Sequence, residues 1–231
     1  MDAHEMTYER LAPRQARSAT SVVASSARRF LEITIASLLL LLLSPALLLI
    51  MLAIRLGSPG PALFRQLRLG RDGRTFTLVK FRTMRHEAEC TRHRDYVQQL
   101  IAPPPESAAQ PEGGLYKLVI DDRITPIGRL LRRMSIDELP QLWNVLRGHM
   151  SLVGPRPVIP YEAEMYPDWY FERFATKPGL TGLWQVNGRN ERTYEEMVRD
   201  DIEYVRRQSL PLDLAILAKT VWVVLSRKGA A

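Results

Sequence analysis

The sequence has a single cysteine, Cys90, so no disulfide can close within the chain and a disulfide-stapled secreted scaffold is excluded. It has no GxxxxGKS/T loop and no GxGxxG after a strand, so the common nucleotide-binding motifs are missing. Neither an HExxH nor a paired CxxC pattern occurs, and no internal repeat is visible. Acidic residues are the minority: 25 Asp and Glu against 32 Lys and Arg give a net charge of +7. Such a balance points to an anionic partner, whether nucleic acid, lipid headgroups or a phosphorylated substrate. The 231 residues fit one medium domain with a small appendage. A composition 46% hydrophobic and 25% charged excludes both disorder and uniform burial in a membrane.

The apolar residues are unevenly spread. Between Glu32 and Arg55 lie 22 residues without a charge, including the run Leu38 to Leu43. As a helix this stretch reaches about 33 Å, enough for a hydrocarbon core of roughly 30 Å. A signal peptide fits poorly, because some thirty residues precede the run and no small-residue cleavage motif follows it. Ser44-Pro45 sits at the centre, where proline removes a helical hydrogen bond. Both flanks are basic, with Arg10, Arg14, Arg17, Arg28 and Arg29 before the run and Arg55, Arg65, Arg68, Arg71, Arg74, Lys80 and Arg82 after it. Positive flanks favour the cytoplasm. Two readings remain open: a re-entrant helix bent at Ser44-Pro45, or a proline-kinked span.

Beyond the apolar run, Gly70-Arg71-Asp72-Gly73 reads as the turn of a hairpin whose second strand covers about Thr75 to Thr83. Alternation puts Lys80 and Arg82 on one face, as a cation pair for a diphosphate or as a solvated basic edge. A polar, helical stretch from Arg85 to Leu100 carries His86, Cys90 and His93 at ligand-like spacing but no evident fourth ligand. A loop follows from Ala102 to Gly114. Thr125-Pro126 opens a helix with Ile127, Leu130, Leu131 and Met134 on one side. A second helix carries Leu139, Leu142, Trp143 and Leu146 and ends at Gly148. At its start, Ser135-Ile136-Asp137-Glu138 has the form of a capping box, which Pro140 weakens. Gly154-Pro155-Arg156-Pro157 is a stiff loop that can hold out a guanidinium fork to a phosphate or carboxylate. Lys177 to Gly182 and Asn187-Gly188-Arg189 form a second irregular region, either an anion-binding loop or ordinary turns. Thr193-Tyr194-Glu195-Glu196 caps another helix to about Gln208, and an apolar helix from Asp213 to Leu225 is too short to cross a bilayer.

Four ordered blocks resemble the bacterial sugar transferase family, the monotopic polyprenyl-phosphate phosphoglycosyl transferases. They are GPALFRQLRLGRDGRTFTLVKFRTM (60–84), DDRITPIGRLLRRMSIDELPQLWNVLRGHMSLVGPRPVIPYE (121–162), KPGLTGLWQVNGRN (177–190) and DIEYVRRQSLPLDLAILAKTV (201–221). With the Ser-Pro-interrupted helix, the similarity covers roughly residues 28–229. Larger relatives carry a preceding bundle of transmembrane helices, and where relatives commonly show Asp before the membrane helix this chain has Glu32.

The resemblance implies a mixed, mostly α fold with a small β-hairpin. It implies a polar arm over 1–27, a re-entrant membrane helix over 28–56 broken at Ser44 and Pro45, and a cytoplasmic catalytic domain over 57–231. The implied reaction moves a phosphosugar from a nucleoside-diphosphate sugar, expected to be a UDP-sugar, to polyprenyl (undecaprenyl) phosphate. That is the first membrane step of exopolysaccharide, O-antigen, capsule or glycoconjugate assembly, at the bacterial inner membrane. Asp137 and Glu138 match the family's catalytic dyad, with Asp137 as nucleophile and Mg²⁺ contact. Lys80, Arg82, Arg156, Gln185 and Arg189 are the expected substrate-binding residues. The physics agrees, because carboxylate attack on a diphosphate needs neutralised charge, a role for Mg²⁺ and nearby cations. Membrane lipids are expected partners, nucleic acid is not, and a homodimer is left open. Two rival classes are a membrane-anchored Mg²⁺-dependent nucleotide-sugar hydrolase and a non-catalytic anion-binding module.

Overall fold

The computed structural model describes residues 19–85, 123–188 and 192–226, with side chains from Ser26 onward in the first segment. Helix α1 (Ala19–Gly57) runs 39 residues and begins ahead of the expected start at 28. Its α-helical structure continues through Pro45. Pro45 has no N–H to offer the Leu41 carbonyl, and Ser44 Oγ donates to that same carbonyl at 2.8 Å. The hydroxyl thus satisfies the acceptor that proline orphans, and helical structure continues through the expected bend at Ser44-Pro45. Ser26–Gly57 is the one stretch among the described residues long and apolar enough to cross a membrane.

Helix α1 packs on the rest of the chain at two patches, and several of its leucines stay outside both. Just before its midpoint, Ala36 is buried with Ile35 and Leu40 beside Leu142, Val145, Tyr204 and Ile216. Near its end, Ile54 is buried with Phe81, Leu131 and Ala62, and Leu47, Ile50 and Met51 pack around them. Leu38, Leu41, Leu42, Leu48 and Leu49 stay exposed.

The hairpin forms as expected. Strands β1 (Leu63–Leu69) and β2 (Thr75–Phe81) pair antiparallel from Leu63↔Phe81 to Leu69↔Thr75, and Asp72 and Gly73 supply the left-handed turn at φ 57° and 68°. Arg82 lies just past β2 and does not accompany Lys80. Its guanidinium donates to the carbonyls of Pro59 at 2.6 Å, Ser58 at 2.7 Å and Ile54 at 3.3 Å, and to Ser58 Oγ at 2.9 Å. It ties the Ile54 carbonyl in the last turn of α1, which also accepts from Ser58 N at 3.2 Å, to the Ser58-Pro59 turn that follows the helix. Arg82, expected from the resemblance to bind substrate, has its terminal nitrogens engaged at the junction of α1 and the hairpin.

Thr125 caps α2 (Pro126–Arg133) by accepting from the Gly128 N–H at 3.0 Å. A 3₁₀ turn over Ile136–Gln141 leads into α3 (Leu142–Leu146), and Gly148 follows at φ 79°. Strand β3 (Ser151–Val153) then pairs in parallel with β4 (Gly179–Thr181), inside the region read as irregular from sequence. The pairing is tight at two glycines, since a Cβ on Gly179 would lie 2.1 Å from the Gly154 nitrogen. Between these strands come α4 (Pro160–Ala163) and a 3₁₀ stretch, Asp168–Ala175, whose Tyr170, Phe171 and Phe174 join Tyr166, Trp184 and Tyr194 in an aromatic core. After α5 (Leu183–Val186), Thr193 and Glu196 form the expected capping box of α6 (Tyr194–Arg207). Helix α7 (Leu210–Ser226) buries Asp213 and Ile216 and exposes Leu214, Val221, Trp222 and Leu225.

A buried polar network joins α1, α6 and α7. Arg28 Nε pairs with Asp213 Oδ2 at 2.7 Å, and Arg28 Nη2 donates to the Tyr204 hydroxyl at 2.6 Å. That hydroxyl lies 2.7 Å from Asp213 Oδ1 and accepts from Gln208 Nε2 at 3.2 Å. Burial pushes the Asp213 carboxyl up, while Arg28 and the Tyr204 hydroxyl hold it down. Removing one member of a buried network leaves the others unpaired. Tyr204→Phe is therefore expected to destabilise the protein by about 1–3 kcal/mol, read from the denaturation midpoint of the detergent-solubilised chain. A change of a few tenths would show that the network contributes nothing.

Candidate active site

The 3₁₀ turn that carries Asp137 and Glu138 owes its shape to its two ends. Ser135 stands at φ 55°, a left-handed conformation, and its side chain makes no cap hydrogen bond. The capping box expected over Ser135 to Glu138 is absent, because a residue in that conformation does not aim its hydroxyl along the new helix. Pro140 prevents regular α-helical bonding at the other end. Asp137 is buried at 8% exposure, and Glu138, with no capping task, is half-buried beside Arg156.

The turn packs on β2, which supplies Lys80. Two acids, Asp137 and Glu138, hold the Lys80 pKa up, but burial and the neighbouring Arg68 and Arg132 outweigh them, so it falls to about 8. Its ammonium lies 5.2 Å from the Phe64 ring centre. Arg132 Nε is held by Thr83 Oγ1 at 2.9 Å.

Arg156 comes from the Pro-Arg-Pro loop between β3 and α4. Its Nη1 lies 3.9 Å from Glu138 Oε1, and its guanidinium 5.9 Å from the Trp184 ring centre. The loop backbone is held at four successive carbonyls. Pro155 accepts from Gly179 N at 2.8 Å and Arg156 from Arg173 Nη2 at 3.3 Å. Pro157 accepts from Arg68 Nη1 at 2.9 Å and Val158 from Leu69 N at 2.8 Å. Arg173 is itself buried against Asp201 and donates to the Tyr166 hydroxyl at 3.0 Å. Burial pushes the Asp201 carboxyl up to about 6, although Arg173 pulls it down. Glu162, at 1% exposure, faces Arg68, Arg156 and Arg173, and burial pushes its pKa up as well.

The structure thus brings Asp137, Glu138, Lys80 and Arg156 together and leaves Arg82 at the end of α1. Gln185 lies partly buried on α5, its Oε1 3.2 Å from where a Gly182 Cβ would stand. Arg189 lies outside the described residues, as do His86, Cys90 and His93. Sequence reasoning missed Arg68, Arg132, Arg173, Glu162 and Asp201. An arginine between the apolar Leu67 and Leu69, or an Asp201 on the apolar side of α6, was the available signal.

No group of three or more His, Cys, Asp or Glu that could hold a metal ion occurs among the described residues. The donors are the Asp137–Glu138 pair. One or two carboxylates suit Mg²⁺, which takes its other ligands from water and substrate phosphates. The pair fits such an ion and does not fit a metal held wholly by protein.

A family model described as "Bacterial sugar transferase" matches residues 23–227. The "UDP-galactose-lipid carrier transferase" of Erwinia amylovora is 44% identical over 216 residues, 90% of this chain and 43% of the relative. The "UDP-glucose:undecaprenyl-phosphate glucose-1-phosphate transferase" of Caulobacter vibrioides is 44% identical over 212 residues, 88% of this chain and 71% of the relative. The "Exopolysaccharide production protein ExoY" of Rhizobium meliloti is 38% identical over 208 residues, 90% of this chain and 89% of the relative. The chain therefore spans less than half the length of some relatives and nearly the whole of others.

Because Asp137 holds the Lys80 pKa up, Asp137→Asn is expected to lower it further below about 8. Titration of ¹³C-methylated lysines by NMR measures this. An unchanged Lys80 titration would separate the two side chains.

Proposed function

The chain belongs to the bacterial sugar transferase family, and on that footing we propose that it moves a phosphosugar from a UDP-sugar to undecaprenyl phosphate. UMP is released, and the product is a polyprenyl diphosphate sugar, the first lipid-linked unit of an exopolysaccharide or related glycan. The observation that carries this reading is the buried Asp137 beside Glu138, faced by the cations of Lys80 and Arg156. A pure anion binder has no use for an acidic pair at the focus of its cations.

The residues support a two-step displacement. An Asp137 carboxylate oxygen attacks the phosphorus that bears the sugar, and the bond from that phosphorus to the bridging oxygen breaks, so that UMP leaves with the bond electrons. The result is an aspartyl phosphosugar. An oxygen of the lipid phosphate then attacks the same phosphorus and displaces the Asp137 carboxylate, which is restored. Lys80 and Arg156 neutralise the phosphate oxygens, Arg156 as a planar fork and Lys80 as a point charge. Glu138 orients Arg156 across their 3.9 Å separation. Asp137 and Glu138 would hold Mg²⁺, which supplies further charge neutralisation on the diphosphate.

The docking of α1 supports a re-entrant placement. Its residues Arg28 and Ala36 and its late residue Ile54 pack on the folded body, while Leu38, Leu41, Leu42, Leu48 and Leu49 between them are exposed. A body on one membrane face that holds both ends of a helix keeps both ends on that face, and basic flanks make it the cytoplasmic one. In a Cys90→Ser background, single cysteines placed within residues 1–18 and in β1 are expected to label only from the cytoplasmic side. Outside labelling of the first set would establish a true span.

The activity itself is tested by incubating the membrane-reconstituted chain with a panel of UDP-sugars, Mg²⁺ and undecaprenyl phosphate. Sustained UMP release that requires the lipid phosphate is the expected result. Release of sugar 1-phosphate into water at the same rate without lipid would make the protein a hydrolase, and no UMP with any donor a binding module. Arg156→Lys keeps the charge and loses the fork, and is expected to reduce turnover about a hundredfold with little effect on the melting temperature.

A further inference from the structure

Away from the acidic pair, cations crowd the start of α1 without enough acids to match them. Arg29 Nη2 donates to the Leu146 carbonyl at 3.0 Å, and its Nη1 pairs with Glu32 at 3.3 Å. Arg28 is spent on Asp213 and Tyr204, and Arg71 sits 3.3 Å from Asp72. Lys177 is different. It is partly buried, and its ammonium has no hydrogen bond or ion pair among the described residues. A half-buried ammonium with three donors and no acceptor is costly. Its pKa is lowered by burial and by Arg29, Arg71 and Arg28, against a single raising influence from Glu32.

A cationic neighbour lies across Gly148. Gly148 has φ +79° and no side chain, and the point where its Cβ would stand lies 3.5 Å from Arg29 Nη2 and 3.6 Å from Lys177 Nζ. Two cationic groups thus converge on one unfilled position. Its height relative to the membrane follows from the sequence around it. Phe30, one residue past Arg29, is exposed and opens the apolar surface of α1; the exposed Leu210 and Leu214 of α7 start beside Asp213, which Arg28 holds. Both apolar surfaces begin at the level of this cluster, which is where lipid phosphates lie.

We propose that Arg29 and Lys177, with Arg71 behind them, form a site at Gly148 for the headgroup phosphate of an anionic glycerophospholipid. It is separate from the acidic pair and fixes how deep the start of α1 rides in the membrane. The chemistry it recognises is a phosphate oxyanion, and the level of the site makes a lipid its source. The site rests on the membrane placement of α1 and not on the transferase reading.

The test uses the full chain in vesicles of phosphatidylcholine, with and without phosphatidylglycerol, and reads no turnover. Acylation of Lys177 by an amine-reactive reagent, followed by mass spectrometry, is expected to slow about fivefold when phosphatidylglycerol is present. Lys177→Gln is expected to lower the preference for phosphatidylglycerol vesicles in flotation about fivefold, while Arg207→Gln, an exposed cation on α6, has little effect. Equal losses in the two variants would mean diffuse surface attraction and would overturn the site. Equal protection of Lys177 by inorganic phosphate in phosphatidylcholine vesicles would assign it to a soluble anion and overturn the lipid. Protection by undecaprenyl phosphate but not by phosphatidylglycerol would make it part of the acceptor's path and overturn the proposal as stated.

Discussion

The Arg156 guanidinium is held against its own flexibility by the backbone that carries it. Four consecutive carbonyls, from Pro155 to Val158, each accept a hydrogen bond, from Gly179, Arg173 and the adjacent Arg68 and Leu69. Two of those donors are the buried arginines Arg173 and Arg68, so cations in the interior fix the position of a cation at the surface. Arg173 is tolerable there because Asp201 is buried with it, and the pair is bound in turn to Tyr166 within the aromatic core. Prolines on both sides of Arg156 reduce the conformations lost on ordering the loop. Preorganisation of this kind puts the cost of holding the charge into folding and keeps it out of each reaction cycle.

The second constraint is the handling of α1. Its basic flanks were read as a topological signal, and two of them turn out to be structural joints. Arg28 fastens the helix to Asp213 and Tyr204, and Arg82 ties the Ile54 carbonyl of its last turn to the Ser58-Pro59 turn beyond it. Between those joints Ser44 repairs the hydrogen bond that Pro45 removes. These residues thereby clamp the helix to the domain and fix where its exposed apolar surface lies relative to the acidic pair.

Much of the local structure was legible, because local signals decide it. The hairpin turn at Asp72-Gly73, the Thr125 cap with Pro126, the Thr193 capping box and Gly148 past α3 all stand where their residue types place them. The failures share a cause. Ser135 has the letters of a cap, but the chain reversal between α2 and α3 puts it in a left-handed conformation. Arg82 keeps step with Lys80 only while the strand lasts, and β2 ends at Phe81. Strand β4 was hidden in a glycine-rich region because its partner β3 lies 28 residues away in sequence. Arg173 with Asp201, and Arg68 with Pro157, are likewise pairings that no window of sequence contains. The acidic pair was found through the resemblance of whole blocks, since Asp-Glu after serine is by itself an ordinary helix start.

The account turns on Asp137 carrying the phosphosugar covalently. The most direct measurement is the intact mass of the purified chain after exposure to the preferred UDP-sugar and Mg²⁺ with no polyprenyl phosphate present. The account predicts a gain of one phosphosugar, located at Asp137 by peptide mapping, matched by about one equivalent of UMP, discharged on adding undecaprenyl phosphate and absent in Asp137→Asn. No adduct and no UMP before the lipid is added, from protein that then turns over normally, would mean direct attack by the lipid phosphate and would contradict it.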